Sequence, residues 1–278
     1  FKTFFIPLTV AKAQLIIDAF EQSYDQYHAS LAELEMEIDA HVQQALAGKQ
    51  QGGGVFLKLS CRSPKDAACV SDKFKAAYAH KLQLYQKTKS AELTQNEKLI
   101  CLYQALGEAM NISSGKEAIQ LLTASERINS DLKLFVAECK AFESKQQAQQ
   151  QKPLMNIILR EWVDLRFEYE FRGFVKNDKL HALSQYWDMC YFAEFKEKAE
   201  EFKTMIDKLC AFFKNEIAPV LSKLNIHNYI IDFAVASSEE QKEPKFYIVE
   251  LNPFATSTDS CLFSWKHDCD LLNGKVAN

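Results

Sequence analysis

The stretch "FYIVELNPFATSTDSCLFSW", from Phe246 to Trp265, carries the most information about the fold of this chain. Its first half has apolar residues on both faces, which is typical of a strand buried in a sheet. This strand nevertheless contains Glu250 and Asn252, and Pro253 then ends it. Residues two apart on a strand point to the same face. We therefore predict that this carboxylate and this amide lie side by side.

A third polar residue, Asp232, interrupts the apolar run "YIIDFAVA" (229–236). If the two strands form a hairpin, Asp232 approaches Glu250, and two close carboxylates in a semi-buried place repel. One of them must then bind a proton, or a cation must lie between them. Oxygen ligands without His or Cys suit Mg²⁺, and Asn252 adds a neutral oxygen. The alternative is a solvated carboxylate at a strand end, or one paired with a lysine.

Two basic residues on predicted strands are candidates for anion contacts. Lys58 lies in the middle of "VFLKLS" (55–60), where it could contact a phosphate or extend its ammonium group to solvent from an edge strand. Arg172, in "EYEFRGFVKND" (168–178), could hold a carboxylate of this protein or a phosphate of a ligand. The residues alone favour the internal ion pair for Arg172.

Hydrophobic periodicity and turn residues predict an α+β protein with mainly antiparallel sheets and a largely helical N-terminal half. The glycine run at 48–54 ends a long helical pattern, and the polar stretch at 144–153 connects an N-terminal part (1–150) to a C-terminal part (151–278). "ND" before Lys179 predicts a hairpin turn. The predicted strands are 4–8, 55–60, 155–165, 168–178, 179–187, 229–236 and 245–251, and the predicted helical regions are 11–47, 68–150 (with breaks near 107–118 and 123–127) and 195–217.

Composition excludes several functional classes. The net charge of −4 and the pI of about 5.9 argue against direct binding to nucleic acid. No apolar run reaches the roughly 18 residues of a membrane span, and "FKTFFIPL" is not expected to be a signal peptide. The eight cysteines form no CxxC motif and no zinc-like spacing with histidines. Free thiols in the reducing cytoplasm are the expected state.

Several blocks, in this order, resemble the cell division cycle protein 123 family. The similarity is clear at 52–67 and over 153–267, and thin across 9–50 and 68–150. The matching blocks are "GGVFLKLSCRSPKDA", "SERINSDL", "ILREWVDL", "EYEFRGFVKNDKLHALSQY", "YIIDFAV" and "YIVELNPFATSTDSCLFSW".

This resemblance implies an ATP-grasp fold, in which two α+β lobes bind ATP with Mg²⁺. It implies that Lys58 and Arg172 contact phosphates and that a linker strand lies beside the adenine. The implied nucleotide-binding residues are Lys58, Arg160, Glu161, Trp162, Arg172 and Asp232, and the implied Mg²⁺ ligands are Asp232, Glu250 and Asn252.

Eukaryotic members of that family assist assembly of translation initiation factor 2 by binding its gamma subunit. The resemblance therefore implies an ATP-dependent assembly chaperone. An alternative is an ATP-grasp enzyme that joins a carboxylate to an amine, or that transfers a phosphoryl or nucleotidyl group. A third reading is a scaffold that nucleotide stabilises without turnover. The fold does not choose among these functions.

Overall fold

The structure is a computed structural model that describes residues 2–47, 53–145, 152–163, 165–236 and 244–275. The chain divides into two units, Phe1–Val163 and Asp164–Asn278. The boundary that the sequence suggested, after residue 150, differs from this division. The difference arises because the strand that follows residue 155 pairs with strands of the first unit.

The first unit contains a four-stranded antiparallel sheet in the order β1-β4-β2-β3. Its buried face carries alternate apolar residues of the two central strands, such as Leu57 and Leu159. The predicted strands at 4–8, 55–60 and 155–165 are therefore confirmed, apart from their ends. The strands are β1 (Thr3–Pro7), β2 (Val55–Leu59), β3 (Asn111–Ile112) and β4 (Asn156–Glu161).

Seven helices of the described residues belong to the first unit. The continuous helix predicted over 11–47 is wrong at one point, since it is broken before Tyr24. There the Ser23 side chain accepts a hydrogen bond from the Asp25 backbone and caps a new helix. The helices are α1 (Val10–Glu21), α2 (Tyr24–Leu46), α3 (Lys65–Ala68), α4 (Asp72–Lys87), α5 (Gln95–Met110), α6 (Gly115–Ala124) and α7 (Glu126–Lys145).

Serine caps produce the two breaks that the sequence predicted in the helical region. Ser114 Oγ accepts from the Glu117 backbone at the start of α6, and Ser125 Oγ accepts from the Ile128 backbone at the start of α7. The predicted connections at 48–54 and 144–153 lie largely outside the described residues, and residues 237–243 also lie outside them.

The second unit contains another four-stranded antiparallel sheet, in the order β6-β5-β7-β8. Asn177 and Asp178 have φ of 51° and 62°, as the central residues of a tight two-residue hairpin require. This confirms the predicted turn, and the pairing of β7 with β8 confirms the predicted hairpin. The strands are β5 (Glu170–Lys176), β6 (Lys179–Gln185), β7 (Tyr229–Ala236) and β8 (Lys245–Pro253).

Helices cover one face of this sheet through buried residues such as Leu209 and Phe213. The single helix predicted over 195–217 is divided at Lys198, and its last turn, Phe213–Ile217, is π-helical and lies just ahead of Ala218 and Pro219. Proline has no backbone N–H to donate, which breaks the regular hydrogen-bond ladder. The helices of this unit are α8 (Ala193–Glu197), α9 (Ala199–Phe212), α10 (Ala218–Lys223) and α11 (Cys269–Leu272).

The C-terminal segment packs on the opposite face of the same sheet. Phe174 and Ile230 are fully buried there, and Phe254, Phe263 and Trp265 pack against them. The Phe174 and Trp265 rings meet edge to face, with centroids 5.9 Å apart. The α+β class with antiparallel sheets is thus confirmed. No helix among the described residues is long and apolar enough to cross a membrane.

Candidate functional site

A row of polar residues crosses the second sheet in register. Ser184, Arg172, Asp232 and Glu250 lie opposite one another on β6, β5, β7 and β8. Cross-strand partners point to the same face, so the four side chains form one line. This face is the one on which the C-terminal segment packs. The structure therefore brings together the charged residues that the sequence singled out on three separate strands.

The centre of this row is a buried ion pair. Arg172 Nε donates to Asp232 Oδ1 and Arg172 Nη2 donates to Asp232 Oδ2, both at 2.8 Å. Arg172 is 6% exposed and Asp232 is 4% exposed. The internal ion pair that the sequence favoured for Arg172 is what the structure shows. The guanidinium lies on the side of Asp232 away from Glu250, so it does not occupy the position between the two carboxylates where the sequence predicted a cation.

Asn252 and Glu250 complete the cluster from β8. Asn252 Nδ2 donates to Asp232 Oδ2 at 3.1 Å, which directs its amide oxygen away from that carboxylate. Glu250 lies directly opposite Asp232 across the hairpin. Both β8 side chains are half-buried, in contrast to the ion pair beside them. They are the members of the cluster that a ligand reaches most easily.

Three further contacts to this row were not predicted from the sequence. Arg172 Nη1 donates to the backbone carbonyl of Asp259 at 2.8 Å, and the guanidinium lies 4.9 Å from the centroid of the Tyr186 ring. The Ser184 hydroxyl accepts from the Leu262 backbone at 3.1 Å. Backbone carbonyls leave no trace in a sequence. Tyr186, two residues after Ser184, is the sequence feature from which a ring contact to Arg172 could have been predicted.

The electrostatics of the cluster follow from burial and from the ion pair. Burial alone would lower the pKa of the Arg172 guanidinium, but the hydrogen bonds and charge of Asp232 outweigh it and leave that pKa raised. Burial also raises the pKa of the nearby Cys261 thiol to about 12. Arg172 is therefore a permanent cation, and Cys261 remains protonated at neutral pH.

The first unit holds the other predicted nucleotide-binding residues. Lys58 and Arg160 are half-buried, and the β2–β4 register puts them on the same face of the first sheet, with Trp162 following beyond the strand end. Glu161 faces the other way by strand alternation, and its Oε2 accepts from the Lys2 backbone at 3.1 Å. Lys58 and Arg160 thus share a face of the sheet, whereas Trp162 packs against the core of this unit.

The donor set of the second unit fits a hard divalent cation in its chemistry. Among the described residues, no group of three or more His, Cys, Asp or Glu side chains is arranged to hold a metal. Asp232 and Glu250 provide two carboxylates, and Asn252 provides one amide oxygen. Mg²⁺ commonly binds through one or two carboxylates and keeps water or phosphate as its other ligands. Arg172 and Asn252 compete with a metal ion for Asp232, because the guanidinium donates to both carboxylate oxygens and the Asn252 amide donates to Oδ2.

These features define an α+β protein with two antiparallel sheets and a charged cluster on the second. The D123 family model matches residues 102–273, which is more than half of the chain. The chain belongs to the D123 family. The resemblance to cell division cycle protein 123 is thereby confirmed.

Curated relatives and a solved structure agree with this assignment. A "translation initiation factor eIF2 assembly protein" from Candida albicans is 25% identical over 242 residues, covering 87% of this chain and 54% of the relative. "Cell division cycle protein 123" from Eremothecium gossypii is 24% identical, covering 84% of this chain and 51% of that protein. The chain spans about half the length of these relatives. Cdc123 from Schizosaccharomyces pombe has the same fold, with a TM-score of 0.60, 20% identity and coverage of 100% of this chain and 86% of that one.

Proposed function

We propose that this chain is an ATP-grasp-like protein that binds Mg·ATP and assists assembly of translation initiation factor eIF2 by binding its gamma subunit. The observation that carries the assembly role is its similarity, over 87–90% of the chain, to proteins named for eIF2 assembly. Because the chain spans only part of those relatives, the role needs its own test on this chain.

The nucleotide part of the proposal is supported by the cluster on the second sheet. Asp232 and Glu250 are register partners on the two strands of one hairpin, and Asn252 contacts the Asp232 carboxylate through its amide nitrogen. These three residues are the proposed Mg²⁺ ligands, and Arg172 is the proposed phosphate contact beside them. In the first unit, the proposed nucleotide contacts are Lys58, Arg160, Glu161 and Trp162.

The cysteines support a cytoplasmic role for the protein. All eight are free thiols, and all lie within the described residues. Free thiols persist in reducing compartments such as the cytoplasm. We therefore propose the cytoplasm as the location.

Capture of the purified eIF2 gamma subunit on the immobilised chain tests the proposal. We expect retention with Mg·ATP and less retention with ATP plus EDTA. Asn252→Ala should reduce the Mg·ATP-dependent fraction. Lys245→Gln is the matched control, because Lys245 lies on the same strand and is exposed.

The outcomes separate the two parts of the proposal. No retention under any condition would contradict the assembly role. Equal retention with and without Mg·ATP would contradict the nucleotide part. Release of ADP, AMP or phosphate, measured in the same samples, distinguishes a binding protein from an ATP-grasp enzyme.

A further inference from the structure

Asp232 lies between opposite charges on its two neighbouring strands. Arg172 is its register partner on β5, and Glu250 is its register partner on β8. Both oxygens of Asp232 accept from the guanidinium, and Oδ2 also accepts from Asn252. These bonds use three of the roughly four acceptor positions that a carboxylate has. The Asp232 carboxylate, which a divalent cation would need, is thus already bound by the guanidinium of Arg172.

We infer that Arg172 holds Asp232 in the place of a divalent cation, so that the guanidinium and the metal ion compete for one carboxylate. This inference rests on the proposed binding of Mg·ATP and adds how that binding is controlled. A metal ion that shares Asp232 with Glu250 must draw at least one oxygen away from the fork of Arg172. The ion pair therefore opposes the entry of metal alone.

Nucleotide changes this balance because it supplies another anion. A guanidinium as buried as that of Arg172 cannot be left without a partner except at high cost. Phosphate oxygens match the guanidinium fork as well as a carboxylate does. A triphosphate can therefore accept the hydrogen bonds that Arg172 would otherwise donate to Asp232. Metal and nucleotide should then bind cooperatively, and each should raise the affinity for the other by the same factor.

The Nε–H signal of Arg172 in a ¹⁵N NMR spectrum reports this exchange directly. The chain has only five arginines, so at most five such signals arise. Loss of one signal in Arg172→Lys assigns it. If that variant does not fold, lysine substitutions of the other four arginines assign it by elimination. We expect this signal to be protected from solvent exchange in EDTA, to change little with Mg²⁺ alone, and to shift with Mg·ATP.

Mn²⁺ titration without nucleotide, followed by electron paramagnetic resonance, gives a second readout. Arg172→Lys keeps the positive charge but removes the two-point grip on Asp232. We expect this variant to bind Mn²⁺ about 5- to 150-fold more tightly than the wild type, the usual range for coupled sites. Arg166→Lys is the matched control, because Arg166 pairs with Glu168 and Glu194 at the surface. That control should bind Mn²⁺ as the wild type does.

The outcomes separate this inference from the function on which it rests. If calorimetry shows saturation with Mg·ATP but the Arg172 Nε–H signal does not shift, the inferred competition between Arg172 and the metal is wrong and the proposed function stands. Equal Mn²⁺ affinity in the wild type and a folded Arg172→Lys protein would also overturn it. Absence of any Mg·ATP binding would overturn both.

Discussion

Replacing Asp232 by asparagine should strongly destabilise the protein in the absence of metal and nucleotide. The change keeps the side-chain size but removes the charge that faces Arg172, and it leaves a single acceptor oxygen where two now accept at 2.8 Å. Removing one partner of a buried ion pair costs about 3–5 kcal/mol. Because one hydrogen bond can persist, we expect a loss of about 3 kcal/mol in the free energy of unfolding.

Urea unfolding in EDTA at pH 7, followed by tryptophan fluorescence, measures this loss. Trp265 packs on Phe174 in the same layer as the ion pair, so its emission reports on this unit. Asp207→Asn is the matched control, because Asp207 pairs with Lys203 at the surface, with side-chain exposures of 64% and 69%. The control should leave the unfolding midpoint unchanged. Equal midpoints for the two variants would refute the argument that the Arg172–Asp232 pair is a buried, stabilising contact.

Further predictions concern a helix cap, two glycines and a thiol. Burial would raise the pKa of Asp66, but hydrogen bonds from Ser125 and from the backbone at the start of α7 outweigh it and lower that pKa, so the ionised Asp66 stabilises the fold above about pH 4 and not below. Asp66→Asn should therefore lower the free energy of unfolding in urea by about 1 kcal/mol at pH 7 and by much less at pH 3.5. Equal losses at the two pH values would contradict this. Gly107→Ala should raise the unfolding free energy by about 0.5–1 kcal/mol because a Cβ there meets nothing within 4 Å. Gly173→Ala should lower the unfolding free energy by about 1–3 kcal/mol, because its Cβ would lie 2.8 Å from a leucine methyl carbon. A change of unfolding free energy in the same direction for both glycine variants would contradict the observed packing. Burial raises the pKa of Cys261 from 9.0 to about 12, so stability should fall from pH 9 upward as the unfolded thiol ionises, and a Cys261→Ser protein with an unaltered alkaline melting profile would contradict this.

The cluster on the second sheet was partly predictable from the sequence. The alternation of strand residues and the hairpin between β7 and β8 brought Asp232 next to Glu250 and Asn252, since both are local properties of 229–253. The partner of Arg172 stayed open, because it depends on which strands lie side by side. That β5 lies between β6 and β7 is a long-range property, and 60 residues separate Arg172 from Asp232.

Long-range pairing also explains where the predicted organisation of the chain differed from the structure. The strand at Asn156–Glu161 follows the polar connection, which suggested that it opened the second part. It instead lies between β1 and β2 in the first sheet. The broken helix before Tyr24 has a local cause, since Ser23 is a good cap, but the apolar pattern continues across it. The spacing of apolar residues alone therefore does not reveal such a break between helices.

Calorimetric titration of ATP into the purified chain, with excess Mg²⁺ and separately with EDTA, tests the central claim most directly. We predict saturable binding with Mg²⁺ and much weaker binding with EDTA. Glu250→Gln should weaken the Mg²⁺-dependent part, and Lys245→Gln on the same strand should not. Absence of binding, or equal affinity with Mg²⁺ and with EDTA, would contradict the assignment of Asp232, Glu250 and Asn252 to a Mg·ATP site.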